Sequence, residues 1–161
     1  MSDPGPQVLV LRGDRTAARA ATTARGAPYS SRSYREPWAL VVTHQARVGV
    51  DLERLSEAGE VSGEFGRSIC TPDELEHFCT LLDNPEFVSS LWSSKEALAK
   101  ALGDALDYDP RRLSSPLSWP VAAPAAVGGP ELYQAGRWRA RALRAPEVPA
   151  GHLGWLVWDQ P

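Results

Sequence analysis

The stretch Val48-Gly49-Val50-Asp51-Leu52-Glu53 decides how this chain folds and where its chemistry lies. Residues 47–53 are typical of a strand, and alternation along a strand puts Asp51 and Glu53 on one face, with Cβ atoms about 6 to 7 Å apart. Two carboxylates that close raise each other's pKa unless a cation lies between them. The alternative is a strand end whose acids simply face water, and the strand alone does not decide between the two.

A second stretch, Trp92-Ser93-Ser94-Lys95-Glu96-Ala97-Leu98-Ala99-Lys100, lies in a predicted helix and supplies a third acid. Glu96 falls on the border of the buried face, and Lys100 lies one turn beyond it. On its own this pattern also fits a surface ion pair worth a few tenths of a kcal/mol. Together the two stretches hold three acids and two lysines, which are the groups that a magnesium-dependent phosphoryl transfer needs.

The composition excludes several classes of function. The chain has 161 residues with a net charge of −3, so non-specific binding to nucleic acid or to an anionic membrane is not favoured. No apolar run approaches the roughly 20 residues of a membrane span. Cys70 and Cys79 match no zinc-site spacing, and we expect two free thiols in a cytoplasmic protein, although a disulfide stays open.

The hydrophobic pattern predicts one α+β domain over residues 1–161, with an antiparallel sheet packed against helices. Thr71 and Glu74 form a capping box, and Gly103 is a natural helix end. A short turn after Thr43 predicts that strand 47–53 pairs with the strand before it. Segments 55–66 and 113–130 are expected to be largely irregular. The expected strands are 7–11, 38–43, 47–53, 131–133, 138–143 and 152–158, and the expected helices are 16–25, 72–82 and 86–102.

The two stretches resemble the signatures of the 4′-phosphopantetheinyl transferase superfamily. Val-Gly-Val-Asp-Leu-Glu is similar to its (I/V)-G-(I/V)-D-x-E segment, and Trp-Ser-Ser-Lys-Glu-Ala-Leu-Ala-Lys to its W-x-x-K-E-(A/S)-x-x-K segment. Phe65 and the run that ends at Glu74 resemble the F-x-x-x-E element between them. Ser31-Arg32-Ser33 occupies the place of the family's Ser-His-Ser. The resemblance covers roughly residues 29 to 158.

This resemblance implies transfer of phosphopantetheine from coenzyme A to a serine of an acyl or peptidyl carrier protein, a step that suits secondary metabolite biosynthesis. Asp51, Glu53 and Glu96 match the Mg²⁺ ligands. Glu96, or else Glu53, would act as the base, with Asp51 and Lys100 also in the catalytic set. The residues that would bind coenzyme A are Arg32, Ser33, Lys95 and Lys100.

Two departures from the family pattern leave alternatives open. Arg32 stands where the family has histidine, and only 47 residues precede Val48, so the N-terminal half is abbreviated. Most of the family's basic residues for the nucleotide are missing with it, and the candidate substitutes are Arg12, Arg15, Arg19 and Arg25. Self-association into a homo-oligomer could replace the lost packing surface. The alternative functions are a non-transferring factor that binds a carrier protein or coenzyme A, and an enzyme with different chemistry on a carrier-bound substrate.

Overall fold

The computed structural model describes residues 5–55, 62–123 and 129–160, and these ranges form two antiparallel sheets with helices packed against them. Short 3₁₀ turns lie at Pro110–Arg112 and Pro116–Ser118. The helices and longer strands, in chain order, are β1 (Gln7–Arg12), α1 (Arg15–Arg25), β2 (Tyr29–Arg35), β3 (Trp38–His44), β4 (Val48–Arg54), α2 (Gly63–Ser68), α3 (Pro72–His77), α4 (Pro85–Leu102), β5 (Val121–Ala123), β6 (Leu132–Ala135), β7 (Trp138–Leu143) and β8 (His152–Asp159).

The two sheets differ in size and in the helix that covers them. The smaller sheet has the order β1-β3-β2 and carries α1, whose buried Ala18 packs on Ala39 and Val41. The larger has the order β4-β8-β7-β6-β5 and carries α4, whose Ala97 and Ala101 pack in the cluster around Trp155. All strand pairs are antiparallel, so the predicted α+β class is confirmed.

The predicted pairing of β4 with β3 is wrong, because β4 pairs with β8 in the other sheet. The reason is the apolar content of both strands. Leu40 and Val42 of β3 share one buried cluster with Val50 and Leu52 of β4, so the strands meet through side chains instead of through a backbone ladder. A short loop between two strands therefore did not make a hairpin, since stacking the apolar faces buries more surface from water.

The motif around β4 has two faces with different tasks. Val48, Val50 and Leu52 point into the buried cluster between the sheets. Gly49 lies on the other face, where a Cβ atom would stand 1.9 Å from the carbonyl oxygen of Ala97 in α4. Glycine therefore lets the helix lie directly on the strand backbone, and this contact sets α4 beside the acids of β4.

The helix boundaries follow local signals. The capping box of Thr71 and Glu74 is confirmed, and Gly103 ends α4 in the left-handed conformation with φ 86°. Helix α3 ends at His77, earlier than expected, because the following turns use i−3 hydrogen bonds, as from Leu81 N to Phe78 O.

The two segments expected to be irregular are only partly described. Residues 56–61 and 124–128 lie outside the described ranges, while the start of α2, the 3₁₀ turn at Pro116–Ser118 and β5 form in the parts that are described. Cys70 and Cys79 are both free thiols, the first buried and the second exposed. None of the helices in the described ranges has the length and apolar character needed to cross a membrane.

Candidate active site

Asp51 lies at the centre of a polar cluster where β2, β4 and α4 meet. Its Oδ1 accepts hydrogen bonds from Ser33 Oγ at 3.1 Å and from Lys100 Nζ at 3.0 Å. The side chain is only 5% exposed, and its second oxygen, Oδ2, is buried without a hydrogen-bond donor among the described residues. A buried carboxylate oxygen with no donor is unfavourable, so this atom is a ready ligand for a cation.

Glu53 lies beside Asp51 and is held by Arg35. Arg35 Nη2 stands 2.8 Å from both carboxylate oxygens of Glu53, and Nε is 3.2 Å from Oε2. Burial, together with the negative charge of Asp51, nevertheless raises the pKa of Glu53 to about 7, because the arginine offsets only part of this effect. Each of the two adjacent acids thus has one cationic partner, and the raised pKa of Glu53 comes first from its burial.

Glu96 projects from α4 and is bound by a tyrosine. The hydroxyl of Tyr108 donates a short hydrogen bond to Glu96 Oε1. Burial raises the pKa of Glu96, the bond from Tyr108 opposes this rise, and the charge of Asp51 adds to it. Burial and the contact with Glu96 also raise the pKa of Tyr108. Since Asp51 acts on Glu96, all three acids belong to one electrostatic cluster.

Lys100 joins three elements at this cluster. Besides Asp51, its ammonium donates to the backbone oxygen of Val50 at 3.0 Å and lies 3.4 Å from the backbone oxygen of Arg32. The lysine side chain is 22% exposed, so it can still meet a ligand that enters the site. It thus ties β2 and β4 to α4 and adds a positive charge next to Asp51.

Lys95 lies outside this cluster, contrary to its predicted role in binding coenzyme A. Its side chain is fully buried and its ammonium forms an ion pair of 2.6 Å with Glu74, which is also buried. Three backbone oxygens, those of Ile69, Pro110 and Leu113, also lie within hydrogen-bond distance of this nitrogen. Because the ammonium has no exposed area and its donors are used, Lys95 cross-links α4 to α3 and to the loop after α4.

Ser33 and Arg32 point in opposite directions, as neighbours on a strand do. Ser33 Oγ accepts from the backbone nitrogen of Leu52 while it donates to Asp51, and Ser31 Oγ accepts in the same way from Val50 N. The two serines thereby satisfy alternate backbone groups along the edge of β4. Arg32 turns to α1, where its guanidinium donates to Thr22 Oγ1 at 3.2 Å.

Three of the four arginines considered as substitutes for the nucleotide site have partners on their own side of the fold. Arg12 lies over the ring of Trp38 and Arg15 over that of Tyr34. Arg25 donates to Gln7 at 3.1 Å. These contacts stabilise the smaller sheet and its helix, and Thr22 of α1 accepts the hydrogen bond from Arg32.

The carboxylate oxygens of Asp51, Glu53 and Glu96 are the kind of ligand that a hard divalent cation such as Mg²⁺ prefers. Among the described residues no donor reaches Asp51 Oδ2, and Glu53 lies close to Asp51, so a cation would stabilise both carboxylates. Within residues 5–55, 62–123 and 129–160, however, no three side chains of the histidine, cysteine, aspartate or glutamate type are already grouped to hold a metal ion. Glu96 stands apart with Tyr108 and would have to approach the pair.

Two residues of the cluster, Arg35 and Tyr108, were missed by the sequence reasoning. Arg35 lies two residues after Ser33 on β2, so the two side chains point to the same face of the strand. Knowledge that β2 packs against β4 would therefore have predicted the contact between Arg35 and Glu53. Tyr108 is separated from Glu96 by a helix end and a turn, and no sequence pattern signals their contact.

The comparison with known proteins identifies the same region of the chain. The family model described as the 4′-phosphopantetheinyl transferase superfamily matches residues 47–147, which is more than half of the chain and includes the acids of β4 and α4. A holo-[acyl-carrier-protein] synthase of Clostridium novyi (strain NT) is 33% identical over 54 residues. The aligned part is 34% of this chain and 39% of that protein, so the chain spans less than half of the length of this curated relative.

Proposed function

Because the chain belongs to the 4′-phosphopantetheinyl transferase superfamily, we propose that it transfers phosphopantetheine from coenzyme A to a serine of an acyl or peptidyl carrier protein. The observation that carries this proposal is the cluster of Asp51, Glu53, Glu96 and Lys100 where β4 lies against α4. A binding surface alone gains nothing from placing Glu53 beside Asp51, since their mutual repulsion disfavours the charged forms.

The acids of the cluster are proposed to hold Mg²⁺. Asp51, Glu53 and Glu96 would be its protein ligands, and the ion would neutralise negative charge on the pyrophosphate of coenzyme A. Arg35 and Ser33 would keep the first two carboxylates in place through the bonds described above. Partners that orient a ligand commonly matter nearly as much as the ligand itself.

In the proposed transfer, the serine hydroxyl of the carrier attacks the phosphorus next to the pantetheine arm. The new bond joins the serine oxygen to that phosphorus, and the bond to the bridging oxygen of the pyrophosphate breaks. Adenosine 3′,5′-bisphosphate leaves with the bridging oxygen. Glu96 takes the serine proton as general base, with Glu53 as the alternative.

Lys100 and Arg32 are the proposed contacts to the phosphates of coenzyme A. Lys100 places a positive charge 3.0 Å from Asp51 and is partly exposed, so it can stabilise the charge that develops on the leaving oxygen. Arg32 carries a fixed positive charge on the neighbouring strand, next to α1. Its forked guanidinium can bind a phosphate in place of histidine. Lys95 has no part in this scheme, because its ammonium is buried.

A second candidate function is a factor that binds a carrier protein or coenzyme A without transfer. One observation favours it: across the described ranges, the acids are not already gathered into a three-residue metal site. The candidate requires that Glu96 stay with Tyr108 when ligands are bound.

Incubation with coenzyme A, Mg²⁺ and a panel of apo carrier proteins separates the two candidates. Transfer adds the mass of one phosphopantetheine group to a carrier, and EDTA should prevent the addition. Binding of coenzyme A or of a carrier without any mass increase, by a folded sample, would favour the second candidate and exclude the first.

A further inference from the structure

Glu96 has a hydrogen-bond partner that lies outside the acid pair of Asp51 and Glu53. The hydroxyl of Tyr108 donates to Glu96 Oε1, whereas the acid pair binds partners on β2 and α4. In the described part of the chain, the three acids are not grouped to hold a metal ion. The contact with the tyrosine therefore keeps Glu96 away from the acid pair.

The position of Tyr108 is fixed by the backbone that follows α4. After Gly103, the backbone nitrogen of Asp104 donates back to Ala99 O at 2.9 Å. The nitrogen of Tyr108 then donates to Asp104 O at 3.1 Å. These bonds fold the chain back along the helix and bring the phenol to Glu96.

The ring of Tyr108 is also held by aromatic neighbours. Its centroid is 6.5 Å from that of Trp92, which lies one helical turn before Glu96. Trp92 in turn makes an edge-on contact of 5.5 Å with Phe65. Because the phenol is packed while Glu96 is a long side chain with several rotatable bonds, the carboxylate is the partner that can change its place.

The charge of the acid pair favours the observed arrangement as long as no cation is bound. Carboxylates that approach one another repel, and Asp51 already disfavours the charged form of Glu96. A divalent cation on the pair reverses this preference, since it attracts a further carboxylate. Glu96 thus has two alternative partners, the tyrosine hydroxyl and the cation.

We propose that Tyr108 is a latch on the metal site: its hydroxyl holds Glu96 away from the acid pair, and Glu96 must leave it to join a cation there. This inference rests on the part of the proposed function in which the acids hold Mg²⁺. The apparent affinity for the cation is then reduced by the fraction of molecules in which the latch is open. A hydrogen bond to a charged group commonly shifts such an equilibrium about 10-fold.

The first test compares the Mn²⁺ affinity of two tyrosine variants of the full chain, measured by the electron paramagnetic resonance signal of the free ion. Tyr108→Phe removes the hydroxyl but keeps the ring that packs on Trp92, and it should bind Mn²⁺ about 10-fold more tightly than wild type. Tyr133→Phe is the matched control, because Tyr133 donates in the same way to Glu131, at 2.7 Å, in an exposed pair. The control should stay within about twofold of wild type.

The second test follows the phenol itself by fluorine nuclear magnetic resonance of wild type labelled with 3-fluorotyrosine. The chain has four tyrosines, and the resonance of Tyr108 is the one that Tyr108→Phe lacks. Saturating Mg²⁺ should shift this resonance, because the hydroxyl loses its acceptor, and should leave that of Tyr133 in place. The thermal midpoint of metal-free Tyr108→Phe should stay close to that of wild type.

Unchanged or weaker Mn²⁺ binding by Tyr108→Phe would overturn the inference, and so would a Tyr108 resonance that does not move with Mg²⁺. Absence of Mn²⁺ binding by wild type and Tyr108→Phe alike would overturn it as well. If wild type transfers phosphopantetheine while Tyr108→Phe binds Mn²⁺ no more tightly, the inference fails and the proposed function stands. If both latch results hold while folded wild type modifies no carrier, the proposed transfer fails and the inference about the metal site stands.

Discussion

Replacement of Gly49 by alanine tests whether the contact between β4 and α4 builds the site. An alanine Cβ at this position would lie 1.9 Å from Ala97 O and 2.6 Å from Ala101 N. Both atoms belong to the helix backbone, so no side-chain rotation can relieve the overlap. The strand and the helix must move apart by about 1.5 Å before the closest atoms reach ordinary contact at 3.4 Å.

The size of the effect follows from this displacement. Overpacking of a closely packed core costs about 1 to 3 kcal/mol, and a clash between backbones belongs at the upper end. For a chain of this size, a loss of roughly 3 kcal/mol lowers the thermal midpoint by about 6 to 12 °C. The same movement carries Glu96 and Lys100 away from Asp51, and a misplacement of about 1 Å commonly costs around 100-fold in rate.

Differential scanning fluorimetry and the transfer assay, run below the midpoint of the variant, measure the two effects separately. Gly13→Ala is the matched control, because its Cβ would meet only side-chain atoms, Ala17 Cβ at 3.0 Å and Leu11 Cδ1 at 3.2 Å, far along the chain from the acids. The control should lose a few degrees at most and keep its rate. A Gly49→Ala protein with the midpoint and transfer rate of wild type would refute the reasoning about this contact.

Further predictions concern the buried ion pair and the pH dependence of metal binding. Lys95→Met leaves the buried Glu74 unpaired and should lower the free energy of unfolding by about 3 to 5 kcal/mol, measured by urea denaturation, with the KM for coenzyme A unchanged. Arg144→Met, which removes an exposed pair with Glu86, should cost at most about 1 kcal/mol. A raised KM with unaltered stability in Lys95→Met would instead place that lysine on a phosphate. Because a metal binds the ionised carboxylate and the pKa of Glu53 is raised to about 7, protonation should compete with Mg²⁺ below that pH. Calorimetry should then show the affinity falling by up to about tenfold per pH unit below 7 and levelling off above it, whereas a constant affinity from pH 5.5 to 8.5 would contradict the assigned ligand.

Patterns within one element made the sequence informative about the fold. The capping box of Thr71 and Glu74 and the left-handed glycine after α4 depend on neighbours in the chain, and both are confirmed. Alternation placed Asp51 and Glu53 together, and the structure indeed crowds them. Such features need no knowledge of which elements meet in space.

Features that depend on contacts between elements could not be predicted in the same way. A lysine in a helix motif looks the same whether its ammonium reaches a ligand or, as for Lys95, a buried glutamate on another helix. The pairing of β4 with β8 joins strands about a hundred residues apart, and no local turn signals it. The contact of Tyr108 with Glu96 likewise depends on the path of the chain after α4.

Transfer by this protein is tested by the mass of an apo carrier protein after incubation with coenzyme A and Mg²⁺, with wild type compared with Glu96→Gln. Wild type should add one phosphopantetheine group to the carrier serine, and Glu96→Gln should add none while keeping a cooperative thermal transition. Equal modification by the two proteins would contradict the role assigned to Glu96, and no modification by folded wild type on any carrier would contradict the transfer itself.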